Sequence, residues 1–417
     1  MDTSPATAPP HPGMGFKQFV AFIAAVMATN ALAIDAMLPA LPDIQRSFGL
    51  ADVLQTQWVL TAYLLGFGAA QIVYGTLSDR YGRKPVLLFG LSLYVLAAAA
   101  TFLAPSFGLL IGARVVQGIG AAATRVLAVS IVRDCYAGRR MAQVMSLALI
   151  VFLAVPVLAP SIGQLIILVA PWRWIFGVLG LFGSAVLLWS ATRLPETLHP
   201  EDRRPISVDN IVQAFRIVLG NRLAVGYVLA MTAVLGGLFG FLNSAQPIFD
   251  QSFGVPHLFT TIFAGIALSM ALASLTNARL VGRIGSRRIS HAALLGFIAL
   301  ALLHVAMGAA GGETLWGFVL IQAAMMFCFG LVAPNFNAMA MEPMGRVAGT
   351  ASSVMGFVTT VGAALLGFWL GQHFDGTTLP LGLGMAGLGL VSLLLVVVAE
   401  GGRLFRPHEQ PVAGLSG

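Results

Sequence analysis

Asp35 and Arg114 are ionisable groups set inside unbroken apolar segments, where a bilayer penalises charge and function is the usual reason one persists. The chemistry open to them is proton exchange. Burial favours the neutral form of a carboxyl group and a nearby guanidinium favours the charged form, so an acid whose hydration changes can capture and release a proton. Counting along ideal helices, Asp35 lies about 24 Å beyond Phe19, and Arg114 about 7.5 Å into a span running the other way, which gives the two similar depths. Arg114, Gln117, Gly118, Ala121 and Arg125 share one helical face. A polar, small-residue face beside lipid is costly, so it is expected to line a cavity or a helix contact. Arg125, nearer the other end of the span, can act in conformational change, snorkel or bond helix ends.

A second constellation, Gly75, Asp79, Arg80, Gly82, Arg83 and Lys84, sits in the stretch GTLSDRYGRKP. Charge pairs at such a turn suit a gate, in which charge supplies bistability. Orientation by positive charge alone explains Arg83 and Lys84 but not the Gly and Asp spacing. Pro156, Pro160 and Gly163 follow helical spacing, where a missing backbone donor bends the helix and Gly permits close packing. Gly349, Ser352, Ser353, Gly356 and Thr360 form a small-residue stripe that reads first as a helix contact. Asn30, Tyr63, Phe67, Gln117, Phe239, Asn243, Gln246, Asn335 and Asn337 combine amides with aromatic surface, a mixture suited to an amphiphilic ligand. Individually each also reads as a helix-packing residue. His304, a histidine deep within a span, is a weaker candidate for a proton relay. Cys135 and Cys328 provide neither a disulfide framework nor a metal-ligand cluster, so no metal or cofactor is expected.

The elements that must position these residues follow from composition. The chain has 417 residues, 58% hydrophobic and 9% charged, with mean hydropathy +0.88, outside the range of soluble globular proteins. Runs of roughly 20 apolar residues, enough to cross about 30 Å of hydrocarbon, fall near 16–40, 56–76, 85–104, 109–132, 142–167, 173–193, 223–246, 258–280, 290–310, 315–339, 347–372 and 379–399. Backbone groups that find no water in lipid must be satisfied within the segment, so the spans are expected to be helices and the fold all-α. No cleavable signal is evident at the N-terminus: Met1 to Gly15 is polar and Pro-rich. Net charge +7 and a pI near 10.0 do not point to nucleic acid, because the positive residues sort by side of the membrane. Only Arg46 and Arg173 fall in the loops opposite the N-terminus, which places both termini in the cytoplasm.

PETLHPEDRRP, from Pro195 to Pro205, divides the spans six and six. The expected organisation is a cytoplasmic tail (1–15), a six-helix bundle (16–194), a cytoplasmic linker with an interfacial helix (195–222), a second six-helix bundle (223–400) and a cytoplasmic tail (401–417). In the linker Ile211, Val212, Phe215, Val218 and Leu219 follow helical spacing with Asp209, Gln213 and Arg216 turned away. ARLVGRIGSRR from Ala278 repeats the earlier charged loop, with Gly285 aligned to Gly82, Arg283 to Arg80 and Arg287 to Lys84. An even number of spans in each half gives the repeats one orientation, as in transporters built from two parallel bundles around a central pathway.

GxLxDRxGRK after the second span resembles the signature loop of the major facilitator superfamily, matched by Gly75, Leu77, Asp79, Arg80, Gly82, Arg83 and Lys84. RVVQGIGAAATR from Arg114 resembles its proton-coupled members, and IDAMLPALP from Ile34 its drug:proton antiporters. Thr350 to Ser353 and the VRDCY run from Val132 are similar to the bicyclomycin and chloramphenicol resistance group, Bcr/CflA. The antiporter element GPxxGG is matched at Pro160 and Gly163 but replaced at Ala159 and Gln164. The resemblance implies a monomeric, multi-pass protein of the bacterial inner membrane, whose partners are protons and a small molecule. It implies Asp35 and Arg114 facing one cavity as the proton switch for drug export. The alternative is export of a metabolite or organic anion held by Arg114, with Asp35 serving structure. An enzyme is disfavoured, since no metal motif, phosphate loop or nucleophile with its base is present.

Overall fold

Long apolar runs without charge satisfy their backbones by closing on themselves as helices. The computed structural model describes residues 12–203 and 208–405. The helices in chain order are α1 (Phe16–Asp35), α2 (Leu41–Phe48), α3 (Trp58–Tyr81), α4 (Arg83–Phe102), α5 (Phe107–Cys135), α6 (Gly138–Val169) and α7 (Arg173–Arg193), followed by α8 (Val208–Gly220), α9 (Arg222–Pro247), α10 (Phe259–Ile284), α11 (Ser286–Ala309), α12 (Leu315–Met341), α13 (Ala348–Gly371) and α14 (Leu379–Ala399). Among the described residues eleven stretches are long and apolar enough to cross a membrane. The twelfth expected span is α6, of which Ala154–Val169 stands out as a shorter apolar helix. Residues 1–11 of the expected N-terminal tail, 204–207 of the linker and 406–417 of the C-terminal tail lie outside the described residues, as do the side chains of Asp209, Ile211, Arg139 and Arg346.

The packing repeats. α5 is flanked by α3 and α4, and α4 packs on α7; likewise α12 is flanked by α10 and α11, and α11 packs on α14. α1 lies on α6 and α7, as α9 lies on α13 and α14. The two sets meet through α3 on α13 and α6 on α10, again equivalent pairs. The turns that were aligned by sequence also agree in backbone: Gly82 has φ 101° and Gly285 φ 89°, a region that favours glycine because a Cβ crowds the chain there.

α8 is the amphipathic segment of the linker. Val218 is buried and Phe215 packs beside it against a cluster from α9, α12 and α13, while Gln213 and Arg216 are exposed. α1 stops at Asp35, and a short 3-10 turn (Leu38–Ala40) leads into α2, whose first turn carries Pro42. Proline tolerates that first-turn position because its missing N–H has no helical partner to lose.

Candidate functional site

The end of the molecule that carries the α3–α4 turn, here called the turn end, is open between the two sets of helices, and the far end is shut. A cavity of about 660 Å³ is lined by α3, α5, α9, α12 and α13, among them Gln71, Asp79, Arg125, Arg133, Asn337 and Thr359. That size suits a small molecule. At the far end Gln57 Nε2 donates to the carbonyls of Asn243 (3.2 Å) and Gly371 (3.0 Å). Gln372 Nε2 donates to Leu54 O and Gln57 Oε1, both at 2.9 Å. Trp58 lies against Phe368 with ring centroids 4.3 Å apart. Midway, Gln71 Nε2 donates to Thr360 Oγ1 at 3.1 Å, and a Cβ on Gly356 would fall 2.3 Å from Gln71 Oε1. The small-residue stripe of α13 is therefore the bed on which α3 rests.

Asp35 is the last residue of α1 and is 5% exposed. Among the described residues it forms no hydrogen bond or ion pair. The adjoining Ala36 carbonyl meets α6 so closely that a Cβ on Gly163 would lie 1.9 Å from it, and 3.1 Å from Pro39 Cγ. Pro156 and Pro160 lie inside α6 just before that contact. Gln164, where the antiporter element has glycine, accepts from Thr260 Oγ1 of α10 at 3.4 Å. The acid thus sits in a joint of the closed far end.

Arg114 does not pair with Asp35. It is fully buried, and its guanidinium donates to Val59 O (3.0 Å), Gln117 Oε1 (2.7 Å) and Ala33 O (3.0 Å). It also stands over the Tyr63 ring at 4.4 Å, a contact worth on the order of 2 kcal/mol when desolvated. Ala33 belongs to the last turn of α1, so the cation caps the negative end of the helix that ends in Asp35. The close seating of α3 on α5 makes this reach possible, since a Cβ on Gly118 would be 2.0 Å from Tyr63 O. Arg114 is a tie between α1, α3 and α5, each of its three guanidinium nitrogens donating one bond. The expectation that it holds an anion in the cavity is corrected by those bonds.

The expected ligand group divides. Asn337 lines the cavity. Asn30 accepts from the Tyr63 hydroxyl at 2.8 Å, Phe67 stacks on Tyr63 and Gln117 serves Arg114, all three away from the open space. Asn335 donates to Asn277 Oδ1 at 2.6 Å and to Leu331 O at 2.7 Å, inside the second set of helices. Phe239 packs where a Cβ on Gly367 would meet it at 2.5 Å. Asn243 Nδ2 donates to its own helix at Phe239 O, while Asn243 Oδ1 and Gln246 Oε1 are buried without partners among the described residues. These two orphaned oxygens lie under the far-end seal. His304 is buried, with Nε2 3.2 Å from Glu313 Oε1, beneath the α11–α12 loop and outside the cavity.

The charged turn assembles within the first set of helices. Arg83 is 3% exposed and binds Asp79 Oδ1 (2.6 Å), Ser78 Oγ (2.7 Å) and Asp134 Oδ2 (2.9 Å). The Glu196 carboxylate accepts from the backbone N–H groups of Arg83 (2.8 Å) and Lys84 (3.2 Å) at the start of α4, and from those of Thr197 and Leu198. Lys84 Nζ donates to Ala191 O; Arg80 stands over the Tyr81 ring, and Gly75 faces Ser353. Among the described residues no charge pair of this turn reaches α9–α14, in keeping with the open turn end. The second set has its counterpart: Arg287 binds Glu400 (2.8 Å) and Glu342 (3.0 Å), and Tyr227 donates to Glu400 at 2.6 Å.

Asp134, Glu196 and Glu400 were not singled out by the sequence reading. The signal was present, because Glu196 and Glu400 each follow the last helix of a half at nearly the offset that separates Gly82 from Gly285. Glu196→Ala is expected to lower the thermal unfolding midpoint in detergent by several degrees, having removed charge-assisted bonds worth on the order of 2 kcal/mol together. Gly82→Ala should do likewise, since its Cβ would fall 2.3 Å from Glu196 Oε2 at a φ of 101°. Melting curves that superimpose on wild type would remove Glu196 from the account.

Residues 22–367 match the Major Facilitator Superfamily. The chain is 28% identical over 372 residues to a bicyclomycin resistance protein homolog of Haemophilus influenzae, covering 87% of this chain and 90% of that one. It is 30% identical over 380 residues to the multidrug resistance protein MdtL of Escherichia coli, covering 90% and 94%. Its fold is similar to that of a D-xylose–proton symporter, with TM-score 0.72 at 13% identity over 93% of this chain and 99% of that one.

Proposed function

The chain belongs to the Major Facilitator Superfamily, and from that premise we propose that it is a proton-coupled antiporter exporting a small amphiphilic compound, a drug or antibiotic, across the bacterial inner membrane. It is a multi-pass membrane transporter whose relatives include a bicyclomycin resistance protein homolog and a multidrug resistance protein. The drug cargo and the coupling are our reading of the site. So is the orientation, with both termini and the open turn end in the cytoplasm and the far end facing out.

One observation carries the reading: Asp35, an acid with no hydrogen bond or ion pair among the described residues, is buried where α1 meets α6, at the end of the molecule that the Gln57 and Gln372 bonds hold shut. In the conformation seen here the cavity receives cargo from the cytoplasm while Asp35 is cut off from outside water. Rocking of the two sets about α3–α13 and α6–α10 would part the Gln57 and Gln372 bonds, open the far end and hydrate Asp35 together with the orphaned oxygens of Asn243 and Gln246. Cargo stabilises one state and the proton the other, and that difference in affinity lets a proton gradient drive export. Asp35, Arg114 and Gly163 are the coupling joint in this scheme. The turn around Arg83 holds the helices of the first half as one body while they rock, and the remaining candidate side chains serve packing or the alternate state.

The test is flux in proteoliposomes with an imposed pH gradient, using neutral, cationic and anionic amphiphiles. Cargo should move against proton flow, and dissipating the gradient should stop its accumulation. Accumulation that ignores the gradient would end the antiport reading.

A further inference from the structure

Two arginines lie on α5, and the fold treats them oppositely. Each guanidinium nitrogen of Arg114 donates a bond, to Val59 O, Gln117 Oε1 and Ala33 O. Arg125, about 16 Å along the same helix at 1.5 Å per residue, is exposed into the central cavity and forms no hydrogen bond or ion pair among the described residues. Among the described residues it bonds no helix end, a structural role open to an arginine in a span.

The charges around it do not cancel. The other ionisable groups lining the cavity are Arg133, Asp79 and Tyr227. Asp79 is held by Arg83 at 2.6 Å, and the Tyr227 hydroxyl is spent on Glu400 at 2.6 Å. Arg133, two helical turns nearer the mouth on the α5 face, is exposed and has no ion pair among the described residues. The cavity wall therefore carries two guanidinium groups with no ion pair among the described residues against one carboxylate, Asp79, which shares Arg83 with Asp134, so positive charge is in excess along it. Val129, Met231, Leu235 and Phe336 supply an apolar wall beside it.

We propose that Arg125 is a cargo-binding residue, and that the cargo is an amphiphile bearing an anionic group, a carboxylate, sulfonate or phosphonate, which the guanidinium holds while the apolar body lies on the wall. Arg133 draws the anion in from the mouth. Planar, doubly donating guanidinium suits these oxyanions better than a point charge does. This rests on the export reading only for the direction of travel.

The test is binding to the purified full chain in phosphatidylcholine nanodiscs, with no pH gradient, of three molecules sharing one aromatic body: 2-naphthylacetate, 2-naphthylethanol and 2-naphthylethylamine. Wild type should bind the acetate about ten-fold more tightly than the alcohol or the amine, the scale of one charge-assisted hydrogen bond. Arg125→Gln should bring the acetate-to-alcohol affinity ratio to about one, and Arg125→Lys should restore part of it. Arg133→Gln should slow association and flatten its salt dependence while changing dissociation little. Equal binding of the three by wild type, preference for the amine, or a ratio untouched by Arg125→Gln would overturn the proposal. Loss of acetate binding when phosphatidylglycerol replaces phosphatidylcholine would assign the site to a lipid headgroup and overturn it too. Because no gradient is applied, failure of charge preference leaves proton-driven flux standing, and failure of proton coupling leaves Arg125-dependent binding standing.

Discussion

Asp35→Asn should abolish uphill transport in proteoliposomes carrying a pH gradient while leaving cargo exchange at equal pH largely in place. The amide has the shape of the acid and cannot take up a proton, so the only thing removed is the titration. Asp35 is 5% exposed and bonded to nothing among the described residues, so substitution breaks no contact that holds the fold. Uphill accumulation is expected to fall by about ten-fold or more, the free-energy equivalent of one lost proton per cycle across one pH unit. Exchange, which needs only the rocking of the two halves and the cavity, should stay within a few-fold of wild type. Asp35→Glu separates charge from geometry: it retains a titrating group displaced by one methylene and should recover part of the driven flux. Driven accumulation by Asp35→Asn at the wild-type level would remove Asp35 from the coupling step.

Gly163→Val should stop both driven transport and exchange. A Cβ at Gly163 would lie 1.9 Å from the Ala36 carbonyl oxygen and 2.9 Å from its carbon, and both are backbone atoms that cannot swing away as a side-chain tip can. α6 and α1 would have to separate beside Asp35, opening the far end or preventing it from closing; overpacking of this kind typically costs about 1–3 kcal/mol. Gly163 adjoins Gln164, whose bond to Thr260 joins α6 to α10 across the two halves, so displacing α6 is expected to disturb the closed state more than its alternative. A maleimide directed at a cysteine placed at Thr56 reports that balance, because Thr56, next to Gln57 of the seal, is 2% exposed with the far end shut. Labelling should be faster in Gly163→Val than with wild-type Gly163. Unchanged labelling with unchanged exchange would show that the joint tolerates a side chain and plays no part in gating.

Much of this was legible along the chain. The spans, their helical state and the doubling of the halves follow from apolar run length and from the Gly82 and Gly285 turns, because local rules govern each of them: a backbone in lipid must bond to itself, and a left-handed turn wants glycine. Gly163 could be read as a packing residue from its spacing with Pro156 and Pro160. The importance of Arg83 was legible too, but its partners were not. Asp134 and Glu196 come from the end of α5 and from the linker, and a pattern on one helix does not say which distant acid will face it.

The candidate residues that this structure places in helix contacts share one cause. Asn335, Asn30 and Gln117 are polar groups in apolar spans, which marks them as costly to leave unsatisfied but leaves open whether a neighbouring helix or a ligand satisfies them. The answer depends on rotation of each helix about its axis and on how near its neighbours come, and both are set by contacts across the whole chain, such as Gln372 with Leu54. Arg114 and Arg125 make the point on a single helix: identical side chains on one predicted face, of which tertiary packing ties one to three neighbours and leaves the other looking into open space. The amino-acid order by itself determined a duplicated twelve-span transporter of the Major Facilitator Superfamily with an acid and two arginines inside it. Only the assembled structure decided that Arg114 caps α1, that Asp35 lies in the far-end joint and that Arg125 faces the cavity, because a polar group's role in lipid is settled by whichever partner packing brings within hydrogen-bond reach.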